Sequence, residues 1–431
     1  MEKLLTELAA ELVAQAEPGY EYLTLRAHCE YGYTSQRVSS GPSEDNVRTR
    51  DLKSLVELGA DGNVVVEMKV EPDGAFTALL TDGIDQRTGY LPPTYSVVLE
   101  PRPRHLIAPY ERTEVVSTGP LAAVEAELGV PLPAEVHELY LSGVTEFGDH
   151  TLLPADEVLG VRRDLLEFEA HLSLSPFNWT EVIPYGGPRD AVQLVGFHPL
   201  WVPIVRYPAG VTVCVDLAPG PRGHVGQVIQ PSWTCDPLEL LAGSVSEWHR
   251  APERHDHPGM TGRFYAPDHD LDVVAEVAQE FQALRELLLH ELGDGDLAPL
   301  ASLVDLRVLD VSGGRLQLGG LADLPLERLR VTATEVELPA LEQLTSLAVS
   351  GARVDLPTFP KLRVLDVSAA EVDVESLPQV DHLTLNAEQW RRCTVRPAAA
   401  TLVGERSLAQ ALDWAESLGV VLPRRVISGR A

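Results

Sequence analysis

The side chains of this 431-residue chain that could do chemistry are few and scattered. The densest set of potential metal ligands is His249, His255, His257 and His269 with Asp256, Asp268 and Asp270. Metal sites need ligands on rigid elements with outer hydrogen bonds to orient them, and these residues fall in the proline-broken stretch HRAPERHDHPGMTGRFYAP (249–267) and just beyond it. They read as a solvated linker. Glu276 and Glu280 stand one helical turn apart with Arg285 further on, a spacing that could serve general acid/base work, but on an acidic amphipathic helix it reads as an exposed face. The glycine-rich PGPRGHVG (219–226) lacks the lysine-serine ending and the strand-to-helix setting of a phosphate loop, and reads as a hairpin turn. Cys29, Cys214, Cys235 and Cys393 occur singly, with no C-x-x-C pair or zinc spacing, and read as reduced core thiols. No Ser/His/Asp or Cys/His set has a local nucleophile signature. The sequence thus predicts no enzyme, no cofactor and no metal. A hydrolase assembled from distant acidic residues is the open alternative.

Charge narrows the partners. Lys and Arg number 34 against 64 Asp and Glu, a formal charge of −30. Such a surface repels phosphate backbones and argues against nucleic acid; basic proteins and cations fit it better. A content of 45% hydrophobic and 23% charged residues is globular, and the length suits about two to four domains. The opening MEKLLTELAAELVAQAEP carries acids throughout, with neither a basic n-region nor an unbroken apolar stretch, so no secretory signal is read. No run approaches the length of a membrane span, and the expected location is cytoplasmic.

Proline-rich breaks at Glu100–Arg104 and 249–267 predict three modules, 1–104, 113–250 and 268–431, in a multidomain α+β chain. The first opens with a helix presenting Leu4, Leu5, Leu8, Leu12 and Val13, stopped by Pro18-Gly19, and continues as an antiparallel sheet from 20–33, NVVVEMKV (63–70) and AFTALLT (75–81). The second begins with the short helix 121–128, closed by Gly129, and a helix after Pro131-Leu-Pro133. Strands are expected at 182–187, 191–197, 201–207 and 211–217, and a helix from Asp236 to about Trp248. The third carries a repeat. Leu309, Leu329, Leu347, Leu365 and Leu383 each sit in an apolar-x-x-Leu-x-apolar unit, at steps of 20, 18, 18 and 18 residues. That period predicts a leucine-rich-repeat-like α/β solenoid of short parallel strands, with Leu316, Val336, Val354 and Val372 filling its interior. The asparagine usual after the strand is replaced by Gly314, Thr334, Ala352 and Ala370, which predicts an irregular coil without the side-chain ladder. Helical caps are expected at about 271–292 and 408–418.

Three stretches of the middle module, ELGVPLPAEVHELYL (127–141), TLLPADEVLG (151–160) and WVPIVRYPAGVTVCVDLAPGPRGHVGQVI (201–229), resemble the SUKH superfamily of cell-wall-synthesis regulators and bacterial immunity proteins. The resemblance spans about residues 115–250 and implies a SUKH-like α+β domain that binds a protein partner. SGVTEFGD (142–149) departs from the Asn-Gly-Gly that such domains usually place beside the partner groove. The first module, with its helix, aromatic strand and EPDGAF hairpin (71–76), resembles the YezG-like small immunity proteins.

These readings combine into a non-catalytic binding protein, an immunity protein or antitoxin neutralising a basic toxin domain such as a nuclease or deaminase, with a regulatory scaffold working through the repeats as the alternative. Residues 111–253 hold 20 acidic against 7 basic side chains, so the middle module carries more than its share of the charge. Tyr185, Trp201, Tyr207, Asp216 and Trp233 are its candidate partner residues, as aromatic anchors beside an acid, although Trp201 and Tyr207, each taken singly, suit a core better. In the repeats, residues alternating with the buried leucines form a column, Asp310, Arg330, Ala348, Asp366 and Thr384, flanked by Ser312, Thr332, Ser350, Ser368 and Asn386. Asp310, Arg330, Asp366 and Thr384 are its candidate partner residues.

Overall fold

A computed structural model of the chain describes every residue except 31–32, 43–44, 48, 50–51, 61, 88–92, 101–111, 148–149, 175–189, 207–211, 232–237, 251–260, 266–272 and 405–406. It is a multidomain α+β protein built on three sheets.

The first sheet begins under helix α1 (Glu2–Gln15), whose Leu5, Leu8, Ala9 and Leu12 recur at helical spacing and are all buried. Strands β1 (Leu23–Glu30), β2 (Tyr33–Ser40) and β3 (Asp45–Asn46) lead to helix α2 (Lys53–Leu58), then β4 (Asn63–Val70) and β5 (Ala75–Thr81). Strict alternation sends Leu23, Leu25, Ala27 and Cys29 of β1 and Val66, Met68 and Val70 of β4 to the face under the helices. The next hairpin, β6 (Ile84–Arg87) and β7 (Thr94–Val98), turns away to join another sheet, described below.

The middle region holds α3 (Ala122–Leu128), α4 (Ala134–Leu141), β8 (Glu146–Phe147), β9 (His150–Leu152), α5 (Val158–Leu174), β10 (Trp201–Arg206), β11 (Thr212–Asp216), β12 (Gln227–Gln230), β13 (Glu239–Ala242) and α6 (Val245–Arg250). Its sheet is antiparallel, in the order β13-β12-β11-β10-β9-β8. Residues 201–205 of β10 and all of β11 and β12 are buried, so the central strands are covered on both faces, with polar Thr212, Asp216, Gln227 and Gln230 buried among their apolar residues. One apolar cluster gathers Val124, Leu128, Val136, Val202, Val213, Val215 and Trp248; the other gathers Leu165, Ala191, Phe197, Trp201, Cys214 and Ile229. Pro203, which cannot donate to a ladder, sits where β10 shifts register against β11. Gly129 ends α3 at φ 69°, and a Cβ there would lie 2.7 Å from Cβ of Arg112.

Two expectations change here. Residues 191–197 form a bent loop laid over the sheet, not a strand. Residues 238–248 form no continuous helix, because Leu240 and Ala242 pair with Ile229 and Val228 as an edge strand and the helix starts only at Val245. The strand expected at 182–187 lies outside the described residues.

The third sheet is a parallel stack. Strands β14 (Thr261–Tyr265), β15 (Glu286–Leu292), β17 (Val308–Gly313), β19 (Arg328–Thr332), β21 (Ser346–Arg353), β22 (Val364–Glu371), β23 (His382–Asn386) and β24 (Ala399–Val403) follow one another, with α7 (Val273–Glu280) before β15 and α8 (Ala387–Arg392) before β24. Leu309, Leu329, Leu347, Leu365 and Leu383 pair with one another in register and are almost wholly buried. A second, shorter ladder runs through β16 (Gly295–Asp296), β18 (Arg315–Gln317) and β20 (Glu335–Glu337) to Arg353, with Leu316 opposite Val336. Backbone hydrogen bonds there do the stitching that the absent asparagines would do. The helix expected over 271–292 stops at Glu280, and residues 286–292 are instead a further strand, Leu287 pairing with Leu309 and Leu289 with Val311. The helix expected at 408–418 forms as α9 (Leu408–Ser417).

The three sheets do not follow the three expected modules. Strand β7 pairs antiparallel with β24 along Thr94–Val98, so the β6-β7 hairpin finishes the parallel stack. Strand β25 (Arg425–Arg430) pairs with β5 and completes the first sheet.

Candidate functional site

Strands β11 and β12 and the loop between them carry the most specific motif of the middle region. Asp216, at the end of β11, is fully buried. Its Oδ1 accepts the backbone N–H of Ala218 at 2.8 Å and its Oδ2 accepts Nε2 of Gln227 at 2.8 Å. The same Gln227 amide donates to the carbonyl of Ala191 at 2.9 Å, and its Oε1 accepts the N–H of His224. Ala191 O also receives the N–H of Gly220, so carboxylate, amide and loop form one knot. A Cβ on Gly220 or Gly223 would collide with the backbone of Asp190 or Ala191, which is why the hairpin is glycine-rich. Burial pushes the Asp216 carboxyl up to about 6, although Gln227, Ala218 and the Trp201 indole favour its charged form. Burial, reinforced by Asp216, raises the Cys214 thiol well above its ordinary range.

Further buried polar groups brace the domain. The side chain of Arg162 on α5 donates through Nε and Nη2 to the Pro199 carbonyl at 3.0 and 2.6 Å. His198 accepts the N–H of Leu200 through Nδ1, and burial together with Arg162 lowers its pKa to about 4, so the ring is neutral. On the opposite face, Glu125 of α3 is 2% exposed and accepts the N–H of Leu132 at 2.7 Å, with His137 Nε2 at 3.1 Å. Burial opposes its charge, yet hydrogen bonds from Ser117, Leu132 and His137 hold it below the usual carboxylate range. Glu135 receives the N–H of Ser246 at the start of α6, and that bond keeps it low as well. Each of these groups joins elements within the domain.

The candidate partner residues therefore separate. Trp201 is fully buried, edge-to-face on Phe197 with ring centroids 5.7 Å apart, and Asp216 has no exposed surface. Neither side chain can touch a partner without opening the domain. Tyr185, Tyr207 and Trp233 lie outside the described residues, as do all the linker histidines except His249 on α6. Among the described residues no group of three or more His, Cys, Asp or Glu could hold a metal ion.

The parallel stack does bring its column together. Asp310 is opposite Arg330, Arg330 opposite Ala348, Ala348 opposite Asp366, and Asp366 opposite Thr384. Arg330 is exposed and its Nε lies 3.8 Å from Oδ2 of Asp310. Asp366 accepts the N–H and hydroxyl of Ser368, while Thr384 is only 8% exposed. Beyond Thr384 the row continues through Thr401 to Ser96, whose hydroxyls are 2.8 Å apart, and His382 Nε2 stands 2.7 Å from Thr401. Sequence reading missed this extension, because Ser96 comes from the other end of the chain.

Comparison with known proteins gives the class. Residues 116–251 match the SMI1 / KNR4 family (SUKH-1), so the middle region is a SUKH-1 domain. The chain is similar over 61 residues, at 50% identity, to the cell wall assembly regulator SMI1 of Saccharomyces cerevisiae, covering 14% of this chain and 12% of that protein. It is similar over 42 residues, at 52% identity, to a glucan synthesis regulatory protein of Neurospora crassa, covering 10% of this chain and 8% of the relative. A KNR4/SMI1 homolog of Yarrowia lipolytica matches at 55% over 42 residues, covering 10% of this chain and 6% of the relative. The chain thus spans about a tenth of the length of these relatives. No helix among the described residues is long and apolar enough to cross a membrane.

Proposed function

We propose that this chain is a non-catalytic protein-binding protein, and that it acts as an immunity protein or antitoxin by holding a basic toxin domain. The observation that carries the reading is how acidic side chains divide within the SUKH-1 domain. Residues 111–253 have 20 acidic against 7 basic side chains, and among the described residues Glu125, Glu135, Asp190, Asp216 and Glu247 accept from groups within the domain. Others, such as Glu127, Glu138, Glu146 and Asp164, are solvent-facing. A surface of that sign attracts a cleft built for phosphates and speeds encounter with it. In this reading 268–431 is a leucine-rich-repeat-type array whose column of Asp310, Arg330 and Asp366 offers a second contact surface, with Thr384 buried beneath it, and the N-terminal helix and sheet are YezG-like.

The names of the relatives favour a second reading, a regulatory scaffold that joins cellular partners through the same surfaces. One experiment separates the two. The chain is co-expressed with basic nuclease or deaminase toxin domains encoded beside it, and complex formation and protection are scored. A stoichiometric complex that blocks toxin activity supports the immunity reading. Failure to bind or protect against any neighbouring toxin defeats it and leaves the scaffold.

A further inference from the structure

We infer that residues 1–98 and 261–431 are a single discontinuous unit, that the SUKH-1 domain is an insertion into it, and that β25 is the clasp holding the unit closed. Four independent joints carry this.

The first is the β7–β24 seam. Five residue pairs from Thr94↔Val403 to Val98↔Ala399 are bordered by Leu99 N–H and Glu100 N–H on the Ala398 carbonyl and by Gly404 N–H on that of Pro93. The second is the core: Val65, Ile84, Tyr95 and Val97 belong to the same buried apolar cluster as the repeat leucines. The third is a helix start, where Glu67 of β4 accepts the N–H of Leu408 at 2.8 Å and so caps α9 across 341 positions of sequence.

The fourth is β25. It pairs with β5 over six residues, places Ile427 against the core under α1, and adds Ala431 N–H to the Gly74 carbonyl and Arg430 to Asp73 at 2.7 Å. A parallel stack leaves a strand edge and an open apolar end. Here the β6-β7 hairpin and the N-terminal sheet cover the end that follows β24.

Among the described residues the SUKH-1 sheet, by contrast, takes its strands from 146–242, and its two apolar clusters draw on residues 121–248. The chain leaves the unit after β7 and re-enters it at β14, which lie near opposite ends of the stack, about 40 Å apart at the usual inter-strand spacing. The inserted domain is therefore anchored at two points.

Specific protease sites placed within 101–111 and within 251–260 of the full chain test the insertion. After both cuts, the flanking fragments are expected to elute together at equal stoichiometry. Their separation into two pieces, each keeping its own circular dichroism and thermal transition, would overturn the inference. A full chain lacking residues 425–431 tests the clasp by hydrogen exchange. Amides of β4 and β5 are expected to exchange at least about tenfold faster while those of β11 and β12 keep their rates. Unchanged rates in β5 would contradict the clasp.

Discussion

The SUKH-1 domain and the parallel stack handle polar residues in opposite ways. The domain draws polar groups inward: Asp216, Gln227, Arg162, His198 and Glu125 are all buried and join loops to strands and helices. The stack fills its interior mainly with leucines in register and sends Arg330 and Thr332 outward, its buried carboxylate Glu327 being paired with Arg307 at 3.2 Å. Specificity of fold thus comes from hydrogen bonds in one region and from repetition in the other. Buried polar groups cost free energy unless every partner is present, so the domain should respond more to pH and to isosteric changes, and the stack more to volume.

The largest effect is expected from Trp201→Ala. Emptying that site should cost about 3–5 kcal/mol of the domain's stability and leave the transition of the stack in place, read by calorimetry on the full chain. Leu365→Ala should do the reverse, costing about 2–5 kcal/mol in the stack alone. Coincident shifts of both transitions in either variant would break the comparison.

The pH response comes next. Asp216 binds its proton more tightly when folded, since its pKa rises from 3.8 to about 6, so its contribution is full below about pH 4 and is lost as pH rises through 6. His198 runs the other way, its pKa falling from 6.5 to about 4, so its contribution is present above 6.5 and is lost on acidification through 4. Asp216→Asn should therefore steepen the domain's loss of stability below pH 6.5, measured by urea unfolding at several pH values. An unchanged profile would show that the two groups do not titrate as their burial requires.

The smallest stability effect belongs to Arg330→Ala, within about 0.5 kcal/mol for so exposed an ion pair. Its effect on partner affinity should exceed its effect on stability, as seen by titration calorimetry.

Legibility in the sequence followed the same division. The repeat leucines announced the register because each unit states the same pattern again, and LRELLL (284–289) fits it too. That unit went unread because its step of 22 residues to Leu309 and its leucine-rich flanks also suit a helix. The SUKH-1 motif was visible in the run from Trp201 to Ile229, but the burial of Asp216 was not, since an acid between a strand and a proline-glycine turn usually faces water. Gln227 was the available signal, an amide opposite the acid across one hairpin. The β7–β24 and β5–β25 pairings had no local sign, because they join segments more than 300 residues apart whose strands look like any edge strand.

Titration calorimetry of the full chain against basic toxin domains encoded beside it, at rising salt, addresses the central claim most directly. The account predicts a one-to-one complex whose affinity falls by about tenfold or more between about 50 and 200 mM salt and survives Asp216→Asn in the folded domain. Affinity that is indifferent to salt, or abolished by Asp216→Asn while the domain stays folded, would contradict it.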